Sequence, residues 1–260
     1  MRSLLLISLL SFSLGCAQTT TEEKQVAYDS FAETKLDVLM PKSGAAGAKR
    51  PAVIFIHGGG WVGGAKEDVV PNFCSRFLEK GFVVFNVEYR LAKAALAPAA
   101  VTDVLKAADW VRRNAARYGV DEKRIIVSGN SAGGHLSLMV GLTPKNANLG
   151  PAARVAAVVN FYGITDVLDV LEGPNRQAYA VGWIPDSTPD RREAARKVSP
   201  LTYVRKGAPA VLTIHGSADT VVPYDHGIMI TKALRDEKND AEMMSISNGG
   251  HGDFLKDPKQ

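Results

Sequence analysis

The segment Ala52–His57, Ala-Val-Ile-Phe-Ile-His, is an unbroken apolar run that stops at Gly58-Gly59-Gly60-Trp61. A strand with one wet face alternates polar and apolar residues. A strand with no polar position is covered on both faces, as in a parallel sheet layered between helices. The same kind of run recurs along the chain. Phe82–Val87, Arg124–Ser128, Arg154–Asn160, Ala210–His215 and Glu242–Ser247 read as strands, and Leu36, Val38 and Met40 alternate within an earlier one over Thr34–Met40. Helices are predicted between them. One covers Val69–Lys80 and closes at Gly81. A second starts at Pro98 and runs to Arg117, with Val101, Leu105, Ala108 and Val111 on one face. Others end near Leu142 and cover Tyr224–Glu237. Strands alternating with helices predict an α/β fold, with a mostly parallel central sheet flanked by helices on both faces. Residues 18–33 read as a polar leader and Lys42–Arg50 as a surface loop. Residues 161–200, interrupted by Pro174, Pro185 and Pro189, read as a small lid insertion. With no repeat period and no long linker, residues 18–260 form a single domain in this reading.

At 46% hydrophobic residues the chain can fill such a core. Its formal charge is +4, but the basic residues cluster only in pairs such as Arg112-Arg113 and Arg191-Arg192. No basic arm or stripe is present to neutralise a run of phosphates, which argues against nucleic acid as a partner. The two cysteines are Cys16 and Cys74. Arg2, the apolar run Leu4–Leu14 and the small residues Gly15-Cys16-Ala17 have the form of a secretory signal over residues 1–17. Cleavage after Ala17 would release a secreted or periplasmic protein. Alternatively, Ser13-Leu14-Gly15-Cys16 resembles a bacterial lipoprotein box, and a membrane is a partner only if Cys16 is lipidated. Either route leaves Cys74 without an intrachain partner, so no disulfide scaffold is expected.

Three motifs carry chemistry. Gly129-Asn130-Ser131-Ala132-Gly133 lies between a predicted strand and a predicted helix. In that context Gly-x-Ser-x-Gly exposes a serine oxygen on a sharp turn at a helix N-terminus, which makes Ser131 the candidate nucleophile. His57-Gly58-Gly59-Gly60-Trp61 ends a buried strand upstream. Glycines there let backbone N–H groups turn toward a developing oxyanion, so Gly59 and Gly60, with Ala132, are the candidate donors. His57 reads as a support for this loop. A serine also needs a base, and the base needs an acid that fixes its tautomer. His251, in Gly249-Gly250-His251-Gly252, and Asp219, after the strand Ala210–His215, supply them in the chain order Ser, Asp, His. Asp166 and Asp253 are rival acids that do not follow the expected strand. His135, His215 and His226 fit a catalytic role less well. Neither His-Glu-x-x-His nor Cys-x-x-Cys occurs, so no metal site is predicted and no cofactor is called for.

Together these motifs resemble the α/β-hydrolase superfamily, in its His-Gly-Gly-Gly carboxylesterase branch. His57–Trp61, Ser131–Leu136, Asp219 with Val222-Pro223, and Gly250-His251-Gly252 are most similar to the bacterial feruloyl-esterase-like and acetyl xylan esterase-like group. The resemblance covers about residues 34–254. Hormone-sensitive-lipase-like esterases often carry Asp where Asn130 stands and have a longer N-terminal cap, so the resemblance implies a more open site. Only nine residues follow His251, which implies a reduced final helix.

The resemblance implies a serine carboxylesterase acting through an acyl-enzyme on short-chain acyl or hydroxycinnamoyl esters. The partner would be a small-molecule ester or an esterified plant polysaccharide. Trp61, Tyr162 and Trp183 are candidates for an acyl- or sugar-binding wall, with core packing as the competing role for such large aromatics. Two other readings are an arylformamidase-like amide hydrolase and a non-catalytic binding protein on a hydrolase fold. The apolar leader counts against the first and the complete set of Ser131, Asp219 and His251 against the second.

Overall fold

The computed structural model describes residues 20–41 and 49–253. The secretory leader expected over residues 1–17, and most of the predicted loop at 42–50, lie outside them. The protein is built on one eight-stranded sheet in the order β1-β2-β4-β3-β5-β6-β7-β8. Its strands are β1 (Thr20–Ala27), β2 (Lys35–Pro41), β3 (Arg50–Ile56), β4 (Val83–Val87), β5 (Val120–Asn130), β6 (Ala157–Phe161), β7 (Ala210–Gly216) and β8 (Ala241–Ile246). β1 and β2 run antiparallel to their neighbours, and β4, β3, β5, β6, β7 and β8 are mutually parallel.

The apolar run of β3 is covered on both sides. Ala52, Ile54 and Ile56 enter the larger core, while Val53 and Phe55 enter a second core with Phe73, Cys74 and Leu78. Helices α2 (Ala99–Asn114), α3 (Ala132–Leu142) and α7 (Asp225–Asp236) send their apolar residues into the larger core. Every residue of α3 is buried, as expected of a helix apolar all round. Among the described residues the opposite face carries only the segment 66–79. Hence β6 and β7 alternate between buried positions such as Val158 and Val211 and half-buried ones such as Val159 and Leu212.

Two local expectations are corrected. Residues 18–33 contain β1, which pairs with β2. An edge strand needs a backbone ladder more than an apolar pattern, and β1 is further tied down where the Tyr118 hydroxyl and Arg117 meet Glu23. The helix expected over 69–80 is instead a 3₁₀ turn (Lys66–Val69), a π turn (Val70–Cys74) and a short α1 (Ser75–Glu79). Pro71 lacks the N–H that a regular helix would use there. The stretch between β6 and β7 holds the short helices α4 (Val167–Leu171), α5 (Ala178–Trp183) and α6 (Arg191–Lys197). It packs beside the carboxyl end of the sheet, where open α/β sheets place their sites.

Candidate active site

β5 runs directly into Ser131, and α3 starts at the next residue. The turn is sharp: Ser131 has φ 56° and ψ −121°, a left-handed conformation that a residue with a side chain rarely adopts. Its amide donates to the Phe161 carbonyl at 2.9 Å, which ties the turn to the end of β6. Gly133 makes the turn possible. A Cβ there would lie 2.0 Å from the Ile56 carbonyl oxygen, so only glycine lets α3 approach the end of β3 this closely.

Two other strand ends meet Ser131. His251, beyond β8, places Nε2 3.0 Å from Ser131 Oγ. Its Nδ1 lies 2.8 Å from Asp219 Oδ2, and Asp219 follows β7. The second carboxylate oxygen, Oδ1, accepts from the Val221 and Val222 amides at 2.8 and 2.9 Å. Burial would raise the Asp219 carboxyl, but hydrogen bonds from His215, His251 and the Val222 amide outweigh it and hold the group well below the usual carboxylate range. The rival acids stand elsewhere. Asp166 caps α4 by accepting from the Leu168 amide at 3.0 Å, and Asp253 sits over Gly250.

The loop after β3 faces the same place. Gly59 has φ 116° and is exposed, and its carbonyl accepts from the Val62 and Gly63 amides in a tight turn. Among the described residues the Gly59 and Gly60 amides donate to no backbone carbonyl. Ala132 is the first residue of α3, so its amide has no partner within the helix. His57 anchors this loop. Its Nδ1 lies 2.7 Å from the Gly58 carbonyl oxygen and its Nε2 lies 2.7 Å from Glu88 Oε1. The ring stacks on Tyr89 at 4.4 Å, and the Tyr89 hydroxyl donates to the His57 carbonyl. Burial raises the Glu88 carboxyl, but its contacts with His57 and with the Lys66 and Tyr89 amides bring it below its ordinary range.

A cleft of about 320 Å³ opens beside His251 and Gly59. Asp68, Asn72, Asn130 and Tyr162 give it polar groups. Tyr162, expected in a substrate wall, lies on this cleft with its ring edge-on to His251 at 4.7 Å. Burial pushes its hydroxyl up, so it stays protonated. Trp61 and Trp183 are corrected. Both are fully buried and stack on each other at 4.2 Å, so they form core under the site and no wall open to a ligand. His135 completes that layer. Its Nδ1 accepts from Trp61 Nε1 at 3.1 Å and its Nε2–H donates to the Val198 carbonyl at 2.6 Å, while burial lowers the ring to about 4. Sequence reasoning did not assign His215, whose Nε2 lies 3.3 Å from Asp219 Oδ2. Its place four residues before Asp219, at the end of the same strand, was the available signal.

Comparison with known proteins agrees with this architecture. The BD-FAE family model matches residues 36–234. The chain belongs to the BD-FAE family. Among its relatives, esterase LipC of Mycobacterium tuberculosis is 34% identical over 218 residues, which cover 80% of this chain and 54% of LipC. The chain spans about half the length of the curated relatives that match it over most of its own length. A solved truncated carbohydrate esterase from gut microbiota superposes with a TM-score of 0.82 at 29% identity, covering 92% of both chains. A bifunctional GH43-CE protein of Bacteroides eggerthii gives a TM-score of 0.80 at 29% identity, over 92% of this chain and 34% of that one. The fold of this BD-FAE member is that of the α/β-hydrolases.

Proposed function

We propose that the protein is a serine carboxylesterase. The observation that carries this reading is the unbroken relay from Ser131 Oγ through His251 to Asp219 Oδ2. In it, His251 Nε2 takes the Ser131 proton as Oγ attacks the ester carbonyl. Asp219 holds Nδ1–H and stabilises the cation that forms. The carbonyl oxygen becomes an oxyanion facing the Gly59, Gly60 and Ala132 amides. Each such donor is worth about 3 kcal/mol of barrier. When the C–O bond to the alcohol breaks, the alcohol leaves with the proton from His251. Water then adds to the acyl-enzyme by the same path, its proton passing to His251 and back to Ser131 as the acid departs. The relatives named as esterases support the reaction class.

For the substrate, we infer an acylated carbohydrate with a small acyl or hydroxycinnamoyl group. The similarity to a carbohydrate esterase supports this, as do the polar groups of the cleft beside His251. The test is a set of p-nitrophenyl esters from acetyl to octanoyl, run beside acetylated xylan and methyl ferulate. The reading predicts highest turnover on short acyl chains and release of acetate or ferulate from the last two. A maximum at octanoyl with neither carbohydrate nor ferulate ester cleaved would contradict it.

A further inference from the structure

His215 is the penultimate residue of β7 and is fully buried. Its Nε2 faces two acceptors, the Val222 carbonyl at 3.1 Å and Asp219 Oδ2 at 3.3 Å. Nitrogen that meets only acceptors carries the proton and donates. Nδ1 makes no hydrogen bond among the described residues. It faces Gly227 of α7, where an added Cβ would stand 3.2 Å away. The ring is wedged edge-on against Tyr224 at 5.7 Å and Tyr162 at 6.5 Å.

The partner of this donor gives it meaning. Asp219 Oδ1 is held by two backbone amides, and Oδ2 is the oxygen that faces His251 Nδ1. With the amides alone, the carboxylate keeps freedom to tilt about Oδ1. The His215 Nε2–H bonds the Val222 carbonyl and also stands 3.3 Å from Oδ2 on the core side, a second, longer contact that limits that freedom. The Val222 carbonyl fixes the orientation of the His215 ring, and the Val222 amide binds Oδ1, so one residue anchors both the ring and the carboxylate.

We propose that His215 is a positioning residue of the hydrolytic site, whose Nε2–H holds Asp219 Oδ2 in line with His251 Nδ1. The proposal rests on the serine esterase reading above. It predicts a cost in turnover with substrate binding unchanged, because the line from Asp219 to His251 matters as the imidazolium forms.

The experiment compares His215→Gln with His215→Met on p-nitrophenyl acetate, with kcat and KM measured separately and folding followed by thermal melting. The two replacements have similar length, but only Gln keeps an N–H near the Nε2 position. Met is expected to lower kcat by roughly 10- to 100-fold, the scale of losing one hydrogen bond to a charged group, with KM unchanged. Gln is expected to restore most of the loss. In an Asp219→Ala background the same Met substitution should cost little more, since the group it positions is gone. If Met melts below the assay temperature, His215→Phe, which keeps a ring in the slot, takes its place in both backgrounds. Equal kcat for the folded Met and wild-type proteins, or equal losses for Met and Gln, would overturn the proposal. Ser131→Ala is run alongside: if it is inactive while His215→Met is fully active, this inference alone fails, and if it is active, the esterase reading fails with it.

Discussion

A methyl group placed on Gly133 would stand 2.0 Å from the carbonyl oxygen of Ile56, so the helix that follows Ser131 and the strand that feeds the glycine loop touch backbone to backbone. This contact fixes the distance between Ser131 and the Gly59-Gly60 amides. The obstructing atom belongs to a central strand and has no flexible side chain with which to yield. Gly133→Ala is therefore expected to lose most of its kcat and about 1–3 kcal/mol of stability. Urea unfolding and steady-state kinetics on one preparation check both.

Glu88 acts on the loop from below through His57. Glu88→Gln keeps the size of the side chain and removes the charge facing the ring. The anchor of the loop is weakened from a charged to a neutral hydrogen bond while the cleft keeps its lining. If the loop amides hold the oxyanion as proposed, kcat is expected to fall on the order of 10-fold and KM to hold. A rise in KM alone would show that Glu88 serves ground-state binding.

Stability should fall on mild acidification, and the sign follows from the buried imidazoles. His135 titrates near 4 in the fold and near 6.5 in an unfolded chain. Between those values the unfolded state binds the extra proton, so stability is complete above about pH 6.5 and declines toward pH 4, by about 3 kcal/mol at most. His226, also lowered by burial, acts in the same direction. Asp219, held below its ordinary range, adds a loss only at lower pH, beneath the unfolded carboxylate value. Urea midpoints from pH 7.5 to 4.5 should show the decline, and His135→Gln should flatten it.

Trp183 separates a core role from a binding role. Its ring is sealed between Trp61 and the surrounding core, 5.6 Å from the His135 ring. Trp183→Ala is expected to cost about 3–5 kcal/mol of stability by opening a cavity. At a temperature where the variant is folded, KM for a small ester should match that of the wild type. A large rise in KM with little change in stability would restore the wall reading.

The strands at the centre of the sheet were legible because β3 and β4 are too apolar to be anything but interior. The turn at Ser131 was legible because its small residues answer a steric demand made by backbone alone. What escaped reading has a common cause: it depends on partners far away in the chain. β1 is polar and stands as a strand only because β2 offers it a ladder. Trp61 and Trp183 read equally well as wall or core until they are seen stacked. His215 is one more strand-end histidine until its Nε2 is found on the oxygen that faces His251. The segment 66–79 failed differently, because Pro71 disrupts the hydrogen bonding of a helix while leaving its apolar spacing intact.

The most direct test of Ser131 as the nucleophile is covalent. The protein is treated with a p-nitrophenyl phosphonate, the released p-nitrophenol is counted, and the labelled peptide is mapped by mass spectrometry. One phosphonyl group per chain is expected, on Ser131, with hydrolytic activity lost in step and labelling abolished in His251→Ala. Inactivation with the label on another residue, or continued ester hydrolysis by Ser131→Ala, would contradict it.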